Sequence, residues 1–278
     1  MNIEEIREGQ RKSWDTFAPG WKKWDSFMMK KLKPVGDALL DACRLKDGCY
    51  VLDVATGTGE PGLTAARKIG NGKVIGTDLS ENMIAIANEN ARAKDIRNYE
   101  AKVMDATALE LEDNSFDAVI CRFGIMFFPD PQLAVNEMAR VVKHNGVIAL
   151  SAWAEPSKNP WITVISGIVN NMLNIRPGKD APGPFRFANP DGLKELFENT
   201  RLEQIRISEV KGESTFENAE QYWEVMTEVA APIAQALNKA SSEQREEIKK
   251  AVINAAMQYE RNGKIVFGYS AWVASGVK

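Results

Sequence analysis

The feature that most constrains this chain is a glycine-rich turn set between an apolar run and a helical pattern. Tyr50 to Ala55 follows a Lys-Asp-Gly turn and reads as a buried parallel strand. Gly57-Thr58-Gly59-Glu60-Pro61-Gly62 comes next and matches G-x-G-x-x-G. Leu63 to Lys68 reads as the helix after it, stopping at Gly70-Asn71-Gly72. A strand feeding such a turn and then a helix opens a βαβ unit, with the turn positioned to let backbone approach a ligand.

The same alternation continues downstream. Lys73 to Thr77 reads as a second strand ending at Asp78, and Ser80 as the N-cap of a helix whose Ile84, Ala87 and Ala91 share one face. Tyr99 to Val103, Phe116 to Cys121 and Val147 to Trp153 read as three more strands, with a helix over Pro131 to Val142. This rhythm calls for an α/β fold with a mostly parallel, Rossmann-like sheet covered on both faces. Residues 1–45 read as an N-terminal helical lid, made of polar-aromatic helices broken at Pro19-Gly20 and at Pro34. Residues 46–153 form the expected core. Over 154–278 the pattern changes. Pro156, Pro160, Pro177, Pro182, Pro184 and Pro190 punctuate it, before a strand near Glu203 to Val210, helices over about 218–259 and a β-rich run from Lys264 to Ala274. These later helices are expected to cap the carboxyl edge of the sheet within the same domain.

The turn alone does not choose a ligand. Asp78 lies 19 residues after Gly59, where a dinucleotide-binding acid belongs. Two details favour a cation over a pyrophosphate. Asp53, near the end of the first strand, would repel phosphate but suits the ammonium and sulfonium of S-adenosylmethionine (SAM). Pro61 removes a backbone N–H where phosphate oxygens want a donor. Asp105 closes the third strand, where a carboxylate can accept from an adenine amino group. Asp53, Asp78 and Asp105 would thus bracket one nucleoside at methionine, ribose and base. The competing reading makes them helix caps and turn residues.

Composition narrows the partners. A net charge of -3 gives no bulk attraction for nucleic acid or anionic membrane. One segment departs from this, because Arg11 to Lys33 carries seven basic residues against Asp15 and Asp25. Cys43, Cys49 and Cys121 have no CxxC spacing, which fits a reducing, cytoplasmic setting. With His144 the only histidine, no metal site is expected. The opening Met-Asn-Ile-Glu-Glu lacks the features of a signal peptide, and no apolar run is long enough for stable membrane insertion.

The run Val51-Leu52-Asp53-Val54-Ala55-Thr56-Gly57-Thr58-Gly59 resembles the first motif of class I SAM-dependent methyltransferases. Gly76-Thr77-Asp78-Leu79-Ser80-Glu81-Asn82-Met83, Asp105-Ala106 and Ser115-Phe116-Asp117-Ala118-Val119 resemble further motifs, and Arg140 to Gly146 resembles the Leu-Lys-Pro-Gly-Gly turn with His-Asn replacing Pro-Gly. The chain is most similar to the ubiquinone/menaquinone C-methyltransferase subgroup of small-molecule enzymes, over about residues 12–153. Ala55 stands where many members have glycine. The resemblance implies a seven-stranded sheet with a final antiparallel strand. It also implies a cofactor site of Asp53, Thr56, Gly57, Gly59, Asp78, Leu79, Met83, Asp105 and Ala106, with Cys121 and Arg122 lining it.

Trp14, Phe17, Trp21 and Trp24 recur at helical spacing. In the resembling family such a helix closes over SAM, and Trp21 is the lid residue this implies; plain core packing explains the spacing equally well. The basic side chains Lys22, Lys23, Lys30, Lys31 and Lys33, with Phe27, Met28 and Met29, also permit an interfacial membrane helix. Arg122 could bind an anion bidentately or pair with Asp53 or Asp130. The aromatic run after it could line an apolar pocket or pack under the cap. His144 falls in the turn before the fifth strand, away from the chemistry, so no general base is assigned.

The expected activity is methyl transfer from SAM to a small, partly apolar acceptor, with no nucleic-acid partner. An NAD-dependent oxidoreductase and a non-catalytic SAM-binding protein are the alternatives. Oligomeric state is not legible.

Overall fold

Apolar runs bounded by turns become five parallel strands: β1 (Tyr50–Val54), β2 (Lys73–Asp78), β3 (Tyr99–Val103), β4 (Phe116–Arg122) and β5 (Val142–Trp153). The inner strands β1 and β4 and the later part of β5 are near-continuous hydrophobic runs because both faces are covered, whereas the edge strand β3 alternates buried Tyr99 and Ala101 with the more exposed Glu100 and Lys102. Leu52, Val119, Ile120, Ile148 and Leu150 are fully buried. The computed structural model describes residues 3–176, 178 and 181–278, so Pro177 lies outside the described residues. Two long strands, β6 (Glu203–Phe216) and β8 (Lys264–Val277), complete the sheet in the order β3-β2-β1-β4-β5-β8-β6, and the two-residue β7 (Glu260–Arg261) pairs with β8. Pairing is parallel from β3 to β5 and antiparallel at β5–β8 and β8–β6. The seven-stranded, mostly parallel sheet expected from the sequence is therefore present.

Strand order reverses between β1 and β4, which opens a crevice at the carboxyl ends of the strands. The crossover helices α3 (Gly62–Lys68), α4 (Glu81–Ala93) and α5 (Pro131–Val141) join the parallel strands. Right-handed crossovers that run in opposite directions from the reversal put helices on opposite faces. Ser80 caps α4 by accepting from the Met83 N–H, as its position suggested, and Ala87, Ala91 and Ile84 are buried.

The N-terminal helices differ from the sequence expectation. Neither proline breaks its helix: α1 spans Ile3–Lys23 through Pro19, and α2 spans Asp25–Cys43 through Pro34. The junction falls at Trp24 instead. A proline inside a helix frees the carbonyl four residues earlier. For Pro19 that carbonyl belongs to Asp15, and it accepts from Asn82 Nδ2 at 3.1 Å on α4. The lost helical bond is replaced by a tertiary one, so α1 continues. The interfacial-membrane reading of α2 fails at two of its residues, because Met28 and Lys31 are buried against the body of the protein. Among the described residues no helix is long and apolar enough to cross a membrane.

The remaining helices are α6 (Pro160–Met172), α7 (Asp191–Asn199), α8 (Ala219–Val229), α9 (Ala231–Leu237) and α10 (Ser242–Ala256). Helix α1 lies against α4, α8 and α9, so it touches both the core and the C-terminal helices. The approach to α8 is close: a Cβ on Gly20 would stand 2.1 Å from the Glu228 carbonyl oxygen.

Candidate functional site

Asp53 is completely buried one residue before the end of β1. Its Oδ2 accepts from Thr56 Oγ1 at 2.6 Å and from the Gly62 N–H at 3.0 Å. Thr56 Oγ1 is also 2.9 Å from Tyr99 Oη. The other carboxylate oxygen, Oδ1, is buried without a partner. Burial pushes the Asp53 carboxyl up to about 7, against the Thr56 hydrogen bond and the nearby Arg122 charge, which hold it down. Ala55 has φ +55, the left-handed region that glycine enters without cost, which is the physical content of the family's glycine there. Gly57 also has φ +55, and a Cβ there would project into open space. Gly59 has φ +111, and a Cβ would meet Leu63 Cδ1 at 2.8 Å.

The second acid is tied to the glycine turn. Asp78 Oδ2 accepts from the Gly57 N–H at 3.0 Å, and Oδ1 from the Ser80 N–H at 3.0 Å. Burial pushes this carboxyl up to about 6. Met83 is buried beside Ala18 and Ile86, with Leu79 half-buried. Asp105 Oδ1 accepts from the Thr107 N–H and Oγ1, both at 2.8 Å, while Oδ2 pairs with Arg7 Nε at 2.6 Å. Ala106 is buried beside it. Asp78 and Asp105 thus carry out the turn duties of the competing reading and still stand at the ends of adjacent strands.

The Trp21 indole donates to the Val229 carbonyl at 3.0 Å, and its ring packs with Trp14 against the Met83 cluster, so it ties α1, α4 and α8 together. Arg122 Nη2 lies 3.0 Å from Met29 Sδ, and its charge acts on Asp53, Glu60 and Asp25 without a close ion pair. Asp130, the other partner considered, caps α5 through the Leu133 N–H. Cys121 is fully buried inside β4, and His144 is exposed at the opposite end of β5. Among the described residues no cluster of acids, cysteines or histidine could hold a metal.

Several contacts escaped the sequence reading. Asp15 Oδ1 accepts from Ser80 Oγ at 2.6 Å and from the Asn82 N–H at 3.2 Å, which docks α1 on the N-terminus of α4. Thr58 Oγ1 donates to Asp25 Oδ1 at 2.6 Å, tying the glycine turn to α2. Both acids were visible as the only two in a basic stretch, but nothing local indicates their partners. The residues suit a sulfonium nucleoside. The orphaned buried oxygen of Asp53 can accept from an ammonium or other N–H donor, and the open face of Gly57 leaves room for backbone contact.

A methyltransferase-domain family matches residues 45–174. The demethylmenaquinone methyltransferase of Listeria welshimeri is 32% identical over 174 residues, covering 62% of this chain and 74% of that protein. Its counterpart in Staphylococcus saprophyticus is 32% identical over 202 residues, covering 69% of this chain and 81% of its own. Among solved structures, the YcgJ protein of Bacillus subtilis shares the fold with a TM-score of 0.57 at 22% identity, covering 87% of this chain and 97% of that one.

Proposed function

The chain belongs to the class I SAM-dependent methyltransferases, in the group that contains the demethylmenaquinone methyltransferases, and from that premise we propose a quinone-type aromatic ring, methylated at carbon, as its acceptor. The reaction class is methyl transfer from SAM to a small molecule. The observation that carries the site assignment is the buried Asp53 with one oxygen unpaired, which selects a cationic ligand over a pyrophosphate. SAM supplies a methyl group on a positively charged sulfur, already electrophilic.

The protein's share is placement and exclusion of water. Asp53 and the open face of Gly57 hold the methionine part, with Thr56 and Gly59 shaping the turn. Asp78 takes the ribose, Asp105 and Ala106 the adenine, and Leu79 and Met83 flank the nucleoside. Arg122 and Trp21 border the donor on the acceptor and lid sides. Residues 1–45 act as lid, 46–153 as donor-binding core and 154–278 as acceptor cap. Arg7 and Asp15 hold α1 against the core through Asp105 and Ser80, and the Arg7 contact shares the carboxylate that is to receive the adenine. The reading is tested by supplying SAM labelled in its methyl group with a reduced, ring-unmethylated quinone. Label in the ring product supports it, and label-free product with intact donor binding removes the acceptor assignment.

A further inference from the structure

Among the buried polar atoms that the donor site does not use, one lies at the end of a row of aromatic rings. Lys31, on α2, is 7% exposed, and its Nζ has no hydrogen-bond partner. The amine stands 3.2 Å from the centre of the Trp161 ring and 5.4 Å from that of Phe216. Two further orphans belong to the same buried part of the molecule, Trp161 Nε1 and Ser214 Oγ. A charged ammonium held this way without an anion is costly, and such a group responds by shedding its proton. Burial alone, with no carboxylate contributing, pulls the Lys31 pKa well below its ordinary value. The side chain therefore presents a lone pair.

The row of rings connects this amine to the donor site. Trp161 meets Trp153 edge-on at 5.2 Å, and Trp153 carries Phe123 stacked at 3.9 Å with 16° between the planes. Phe123 directly follows Arg122, at the carboxyl end of β4. The rings pack on one another and form an aromatic wall from Lys31 to the end of β4, against whose outer faces a planar aromatic guest can lie. A neutral amine beside them favours a guest with an acidic hydroxyl.

We propose that Lys31 receives the hydroxyl of a phenol-type aromatic acceptor, takes its proton and holds the resulting phenolate. The inference rests on the methyltransferase reading for what happens next to that ring. In the proton step one O–H bond breaks and one N–H bond forms at Nζ, with the electron pair left on oxygen. Neutral amine and neutral phenol become ammonium and phenolate, with no change in total charge. The oxygen's charge spreads to the ring carbons and makes them nucleophilic. The carbon that gains a methyl passes its own proton to the oxygen, and the proton kept on Lys31 is the one returned to water. The arrangement also explains why an unpaired amine is kept where an apolar side chain would be more stable, since it serves the bound state.

The test uses the full-length protein with S-adenosylhomocysteine and para-nitrophenol, whose ionised form is yellow, at a pH below the free phenol's own pKa. Wild type is expected to bind the phenol and turn on the phenolate band. Lys31→Met is expected to lose the band and about tenfold or more of the affinity, while melting at a higher temperature because the buried orphan is gone. Lys31→Gln, which keeps a polar tip, loses the band as well and covers the case in which the methionine variant fails to fold. A phenolate band unchanged in both variants, or a wild type that binds S-adenosylhomocysteine but leaves the phenol neutral or unbound, overturns the role of Lys31 and leaves donor binding intact. Failure to bind S-adenosylhomocysteine overturns the methyltransferase reading beneath it.

Discussion

Asp53 shows how one side chain links fold stability to ligand binding with opposite signs. Its carboxyl is raised from the ordinary carboxylate range to about 7 by burial, so the fold favours its neutral form. Stability of the empty protein from this group is present at low pH and is lost as pH rises toward and through about 7. Binding of a cation needs the ionised form, so affinity for SAM is expected to rise over the same window, with a proton released below it. Calorimetry in buffers of different ionisation enthalpy checks this directly. Asp53→Asn is expected to weaken SAM binding by about ten- to a hundredfold, to flatten the pH dependence and to leave the fold at least as stable above neutrality. An unchanged affinity would mean that the orphaned oxygen does not face the donor. Asp53 stood out in the sequence because it is a carboxylate inside an apolar run, although its bonds to Thr56 and to the Gly62 N–H also serve the turn. Lys31 did not: in a basic stretch a lysine reads as a solvated side chain, and only the packed helix shows which face it occupies.

Elements were legible in proportion to how local their causes are. The inner parallel strands appear as apolar runs because burial on both faces leaves no room for alternation, while the edge strand β3 shows the alternation of a strand covered less completely. The start of β5 was placed at Val147, whereas pairing begins at Val142, since the Phe116–Val142 bridge precedes a register shift invisible in sequence. Helix α1 was expected to end at Pro19, because the local rule is a lost hydrogen bond. The compensation comes from Asn82, 67 residues from Asp15, and no local pattern announces it. Asn82→Ala is expected to cost about 1 kcal/mol for that bond and to speed amide hydrogen exchange along α1 more than in the sheet. Equal protection in variant and wild type would show that this bond does not hold α1, leaving the Asp15–Ser80 and Arg7–Asp105 contacts and the aromatic face to do so.

At the scale of the whole molecule, α1 joins the core helix α4 to the C-terminal helices α8 and α9, and α2 packs on β4, β5, β6 and β8. The buried thiols report on this assembly. Burial raises Cys43 and Cys121 to about 12, whereas Cys49 is half-buried. A thiol reagent is expected to modify Cys49 alone in the native protein and all three cysteines after unfolding. Rapid native modification of Cys121 would mean that the sheet opens at β4. The core topology was readable because each crossover is short. The two long antiparallel strands were seen only in part, because their pairing joins β6 and β8 across the intervening helices. The central claim, a SAM site at the sheet reversal, is tested most directly by titrating the protein calorimetrically with S-adenosylhomocysteine, with NAD and Asp78→Ala as controls. The account expects micromolar binding of the nucleoside, little binding of NAD and loss of affinity in the variant. Saturable NAD binding, or no binding of S-adenosylhomocysteine, would contradict it.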